Sequence, residues 1–171
     1  MKKLVLLAII TFFAVNAHAA EFKIAYVDLN KALNESAKGK TAVTILEDLV
    51  KEKQSVIIEK EKELKALDDE IAKQASILNP DAIREKQAKR EKLMRDYQRM
   101  VKDSQDEVQQ KRNDFMEAII KDLRQTVVRI GKEKGYSIIF ERVASGILYI
   151  PEEVDVTDML IEQFNKESQK Q

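Results

Sequence analysis

Two series of apolar residues, each spaced by seven, approach one point in the chain from opposite sides. Val43, Val50, Ile57, Leu64, Ile71 and Leu78 form the first; Met94, Val101, Val108 and Phe115 form the second. The pairs 43/115, 50/108, 57/101 and 64/94 all have residue 79 as their midpoint, where the chain reads Asn79-Pro80. Seven-residue spacing marks a helix that buries one stripe against another helix. A shared midpoint adds that the two helices run antiparallel and meet across one turn. Proline disfavours helical backbone at the residue before it. Asn79, Pro80 and Asp81 then supply a cap, a first helical position and a first-turn negative charge for the second helix. The pattern predicts helices over about 39–78 and 80–134, with the tip at 79–80. At 1.5 Å per residue, such an arm is roughly 60 Å long. Lys132, Lys134 and Gly135 give the second helix a C-terminal signature.

The apolar stripe is uneven. Near the base Ala42, Val43, Ile45, Leu46, Leu49 and Val50 face Phe115, Met116, Ile119, Ile120 and Leu123. Further out it thins to about one residue per heptad, and Lys53, Lys60 and Gln74 occupy positions where a regular coiled coil carries leucine. Pairs on one helix face (Glu47–Lys51, Glu61–Lys65, Asp69–Lys73, Glu85–Lys89, Glu91–Arg95 and Glu107–Lys111) add only ~0.2–0.5 kcal/mol each. The expectation is an arm firm at its base and pliant beyond. Val56, Ile58, Ile77, Leu93 and Met100 flank this seam or face away from it, and they are the candidate contacts for an apolar partner.

Short strand-like segments lie on both sides of the arm. Residues 22–29 (FKIAYVDL) read as a strand with both faces covered, and residues 30–38 as a polar connection. Residues 136–142 and 147–150 flank a Val-Ala-Ser-Gly turn and read as a hairpin. Asp155 or Thr157 caps a final helix carrying Val156, Leu160 and Phe164, with a frayed polar tail from Asn165. The domain reading is a leader over 1–19, a discontinuous β body over 20–38 and 135–171, and an arm over 39–134. The fold class is α+β, mostly α. A body of three short strands and one helix has open edges and a sparse core, which points to assembly through the sheet.

The N-terminus sets the compartment. Lys2 and Lys3, an apolar run from Leu4 to Val15 and Ala17-His18-Ala19 form a signal-peptide pattern with cleavage near Ala19, so the working part is exported. His18, the single histidine, leaves with the leader, and the chain has no cysteine. Histidine- and cysteine-dependent catalysis is thereby excluded, and the usual zinc, haem and iron–sulfur ligands are lacking. Losing two lysines leaves 28 bases against 30 acids, a net charge of −2.

The remaining motifs read as structural. Gly39-Lys40-Thr41 resembles the end of a P-loop, but Asn34 stands where its first glycine belongs. Glu152, Glu153, Asp155 and Asp158 suit capping and the helix dipole better than a calcium site. Arg84 to Lys102 holds eight bases and three acids, whereas Glu47 to Glu70 holds five bases and nine acids. The two stretches face each other and neutralise one another; the functional alternative is a basic distal arm that meets anionic lipid or an acidic client. One aromatic, Tyr97, in the basic stretch argues against nucleic acid.

At the level of segments the chain resembles the Skp/OmpH family of periplasmic chaperones from Phe22 to about Lys166. KIAYVDLNKAL (23–33), ESAKGKTA (35–42) and, most specifically, GYSIIFERVASGILYIPEEVDVTDMLIEQFN (135–165) carry the likeness. The resemblance implies a homotrimer joined through a β body, with Ile24, Tyr26, Val27, Ile138, Ile139, Phe140, Leu148, Tyr149 and Ile150 as its core. It implies three arms around a cavity that holds unfolded outer-membrane proteins in the periplasm, without ATP, cofactor or enzymatic activity. Well-known members are strongly basic, whereas this mature chain is slightly acidic. The alternative function is an exported coiled-coil adaptor bridging envelope components, which would carry Gly-rich lipoyl-like strands beside its hairpin; this chain has none.

Overall fold

The computed structural model describes residues 22–169. The expected leader and its cleavage site lie outside them. In chain order the elements are β1 (Ile24–Val27), α1 (Leu29–Glu35), α2 (Ala37–Gln74), α3 (Pro80–Lys134), β2 (Ile138–Glu141), a 3-10 turn (Glu152–Val154) and α4 (Thr157–Ser168). α2 and α3 pack along each other as the arm. The other elements gather at its foot.

The tip forms as its residues dictate. Asn79 is extended (ψ 161°), and its side chain accepts the N–H of Ala82 at 2.8 Å. α2 ends at Gln74, four residues short of the expected boundary, in a turn where the N–H groups of Ile77 and Leu78 both reach the Gln74 carbonyl. At the other end of α3, Gly135 adopts the left-handed conformation (φ 70°), and Tyr136 N–H returns to the Gly131 carbonyl at 2.9 Å.

Residues 30–38, expected as a polar connection, are helical instead. Asp28 caps α1 by accepting the N–H of Lys31 at 2.8 Å, and Leu29 and Ala32 turn inward. Ser36 then ends α1 and caps α2: its hydroxyl donates to the Leu33 carbonyl at 3.2 Å and accepts Gly39 N–H at 3.1 Å. The two helices meet so closely that a Cβ on Gly39 would lie 1.7 Å from the Leu33 carbonyl oxygen. The Gly-Lys-Thr run is therefore a helix start at a tight crossing.

β1 and β2 pair in parallel, with Ile24 opposite Ile138 and Tyr26 opposite Phe140. The strands from opposite ends of the chain thus close the foot of the arm. The expected hairpin is absent: residues 147–150 form no strand, and β2 bonds to β1 rather than to them. The chain does turn after β2, where Ser145 N–H meets the Glu141 carbonyl at 3.1 Å. On its other side β1 is lined by residues 155–157. Val156 N–H bonds to the Tyr26 carbonyl at 3.0 Å, and Asp28 N–H to the Thr157 hydroxyl at 2.9 Å. β1 is thereby covered on both edges, while the outer edge of β2 is open.

The core sits where body and arm join. Ala25, Val27, Leu29, Ala32, Ala42, Ile119, Leu123, Ile130, Val156, Leu160 and Phe164 form one buried cluster. The tail expected to fray is engaged instead. Asn165 accepts the N–H of Ala37 at 2.8 Å, and Glu167 takes the Thr126 hydroxyl at 2.9 Å and Arg129 Nε at 3.0 Å. The N-cap of α4 is Val156 rather than Asp155 or Thr157; Asp155, one residue before it, accepts Thr157 N–H at 2.8 Å, and Asp158 pairs with Lys31 at 2.7 Å.

Candidate functional site

The arm carries the candidate site, and its seam decides which side chains are left for a partner. On α2 the more buried positions are Ala42, Leu46, Leu49, Lys53, Ile57, Lys60, Leu64, Leu67 and Ile71. Ile57 and Leu64 lie on this line as expected, and on α3 Met94, Val101, Val108 and Phe115 are half-buried. Val43 and Val50 do not belong to it: they are 50% and 44% exposed. Two consecutive steps of four, from Leu49 to Lys53 to Ile57, shift the stripe by one residue. A strict heptad drifts by about 20° per repeat on a straight helix, and such a step resets it.

The displaced valines line a groove. It encloses about 680 Å³ at the foot of the arm, between α2 and α3, with α1 closing one end. Val43, Leu46, Val50, Val108, Phe115 and Met116 form its apolar wall, and Asn30, Asn34, Glu47 and Arg112 its polar rim. Lys51 at the rim pairs with Asp48 at 3.3 Å, while Arg112 and Glu47 make no ion pair among the described residues. The groove is thus apolar inside and close to neutral outside, which suits segments of many sequences.

The five proposed contact residues divide. Val56 and Ile58 are exposed, and Ile77 at the tip is 81% exposed. Leu93 and Met100 are half-buried against the other arm helix, with Leu93 in a shallow recess beside Glu63, Leu67 and Lys89. Leu46, Phe115 and Met116 were legible only as seam or base residues. What assigns them to the groove is the phase shift, and its signal is the replacement of a step of three by a step of four.

Charge joins the helices further out. Lys53 meets Glu107 at 2.7 Å, Lys86 meets Glu70 at 2.7 Å, and Arg90 holds Asp68 through both nitrogens of its fork, the second at 3.2 Å. Hydrogen bonds from Arg90 and Lys86 hold the Asp68 and Glu70 carboxyls below the usual carboxylate range. These bonds centre on the tip as the apolar repeats do. Of the eight bases between Arg84 and Lys102, five are in ion pairs, leaving Lys89, Lys92 and Lys102. The stretch therefore offers far less free positive charge than its composition suggests. Of the six expected pairs along single helix faces, Glu91–Arg95 forms, at 3.8 Å; Glu107 turns across to Lys53 instead.

A second apolar surface lies on the body. Tyr26 and Val27 are buried, and Ile139, Phe140 and Ile150 are half-buried. Ile24 and Ile138 are exposed, as are Phe22 and Val143, and Tyr149 and Leu148 are 82% and 102% exposed. The latter two of the expected body residues are therefore outside the core of a single chain. Among the described residues, no third strand pairs with β2.

Among the described residues, no cluster of three His, Cys, Asp or Glu side chains is placed to hold a metal ion, and no helix is long and apolar enough to cross a membrane.

A small β body bearing one long helical hairpin, with an apolar groove at its foot, defines an arm-bearing protein built around contact surfaces. The OmpH-like outer membrane protein family matches this chain over residues 23–164, and the chain belongs to that family. The fold is also that of a solved OmpH-like protein from Caulobacter crescentus CB15, described as a candidate outer membrane chaperone. The two share 14% sequence identity with a TM-score of 0.79, over 84% of each chain. No curated protein gives a significant sequence match.

Proposed function

We propose that this protein is an ATP-independent holding chaperone of the periplasm, exported by a leader cleaved near Ala19, that keeps unfolded outer-membrane proteins from aggregating. The observation that carries this reading is the apolar groove at the foot of the arm, open, near-neutral at its rim and flanked by flexible Met116. Methionine adapts its shape to many partners. A client exposes apolar segments that would otherwise join each other. Weak contacts repeated on several arms hold such a chain by avidity, without one strong site.

The repetition comes from assembly. Ile24 and Ile138, paired across β1 and β2, and Leu148 and Tyr149, further along the chain, are exposed apolar residues of the body, and an open strand edge is a template for pairing with another chain. In the proposed homotrimer these residues form the shared interface, and three arms enclose the client. Release requires no nucleotide, because folding into the membrane removes the client by mass action.

The test is light scattering of an unfolded outer-membrane barrel diluted from denaturant, with solution mass measured in parallel. The expected result is a trimer that suppresses aggregation at one trimer per client without ATP. Undiminished aggregation from low to high salt overturns the reading.

A further inference from the structure

The foot of the arm is held by apolar burial and its outer part by charge. Ala42, Ile119 and Leu123 belong to the core cluster. Of the four ion pairs that join α2 to α3, Lys38–Asp122 lies at this foot. The other three, Lys53–Glu107, Asp68–Arg90 and Glu70–Lys86, lie beyond the groove. There lysines at 53 and 60 take seam positions, and Ile57, Leu64, Leu67 and Ile71 are the large apolar residues of α2 that are buried or half-buried.

We propose that the outer arm is a charge-latched clasp: ionic strength sets how often α2 and α3 separate beyond Lys53, and separation uncovers Leu67, Leu93 and Met100. Leu67 is buried and the other two are half-buried while the clasp is closed. The latch faces solvent, since its side chains are between 25% and 54% exposed, so salt reaches it. Screening shortens from about 10 Å at 0.1 M to about 3 Å at 1 M salt. The foot answers oppositely, because apolar burial does not weaken with salt. This accounts for two of the residues singled out in the sequence: Leu93 and Met100 become contact surface only in the open arm. The opening itself is a property of one arm. Only its use in gripping a client rests on the function proposed above.

Hydrogen exchange on the full mature protein, at low salt and at 1 M sodium chloride, tests the clasp without any client. Amides of residues 64–97 exchange about fivefold faster in high salt, while those of residues 119–130 do not speed up. Lys86→Glu with Arg90→Asp gives fast exchange in that stretch at both salts. Adding Glu70→Lys and Asp68→Arg restores slow exchange and its salt response. Exchange in 64–97 that is indifferent to salt, or that rises equally at the foot, overturns the proposal, as does a four-residue swap that restores nothing. The wild-type salt series stands alone if a variant fails to fold. It also separates the two readings: a clasp that opens in a protein unable to suppress aggregation leaves this inference standing and the holding function refuted.

Discussion

Single residues at the foot of the arm carry more than their size suggests. Gly39 sits where α1 and α2 cross, and any Cβ there meets the Leu33 carbonyl. Gly39→Ala is expected to cost about 3 kcal/mol, read as a lower urea midpoint at unchanged m-value. The glycine was visible in the sequence as part of a Gly-Lys-Thr run, but its reason was not. That depends on a helix at 29–35 whose polar residues disguised the inward spacing of Leu29 and Ala32. Two carboxylates hold α4. Hydrogen bonds from Arg129 chiefly, despite partial burial, lower the pKa of Glu167. Burial raises that of Asp155, but bonds from Thr157 and Tyr26 outweigh it and leave it lowered. A lowered folded pKa means stability that is complete above the ordinary carboxylate value and lost as pH falls through the folded one. Peptic cleavage between residues 157 and 168, measured relative to an unfolded substrate at each pH, should therefore rise as pH drops from about 4 downward. Glu167→Gln should raise it already at the upper end of that range.

At the scale of elements, the two arm helices, the tip and the caps at Asn79 and Gly135 were legible because each follows from local chemistry: a seven-residue repeat, a proline, a left-handed glycine. The phase of the seam was not, because one change of step from three to four moves every residue on the basal side. Val43→Ala is accordingly expected to change stability by less than about 0.5 kcal/mol, although a strict heptad makes it a seam residue. Leu123→Ala, in the fully buried cluster, should cost about 2–5 kcal/mol. Thermal melts of the two variants side by side distinguish the observed seam from the ideal one. The hairpin after Gly135 was misread for a different reason. Alternation and a turn signal identify residues that can be strands, but the partner that completes a ladder is chosen by tertiary structure. Here β2 runs beside β1, a strand more than a hundred residues earlier.

For the whole molecule, the surface left over is as informative as the core. Leu148 and Tyr149 stand clear of the chain that carries them. Leu148→Asp with Tyr149→Asp should convert the proposed trimer to monomers in sedimentation or light-scattering mass, leaving the helical circular dichroism signal of the arm in place. Retention of the wild-type mass would place the interface elsewhere. The groove escaped the sequence reading because it lies where three helices converge. Ile77 is exposed because it lies in the turn between α2 and α3. The mirrored register has one more consequence. Since the ion pairs that join the two helices beyond the groove lie at equal or nearly equal distances from residue 79, the arm's reach is an adjustable dimension. Removing one heptad from each helix at matching positions draws the tip in by about 10 Å and leaves the junctions at both ends unchanged. The arm is in that sense a graduated ruler, and in the proposed trimer the volume that the arms enclose is set by how many matched pairs of heptads the gene spells out.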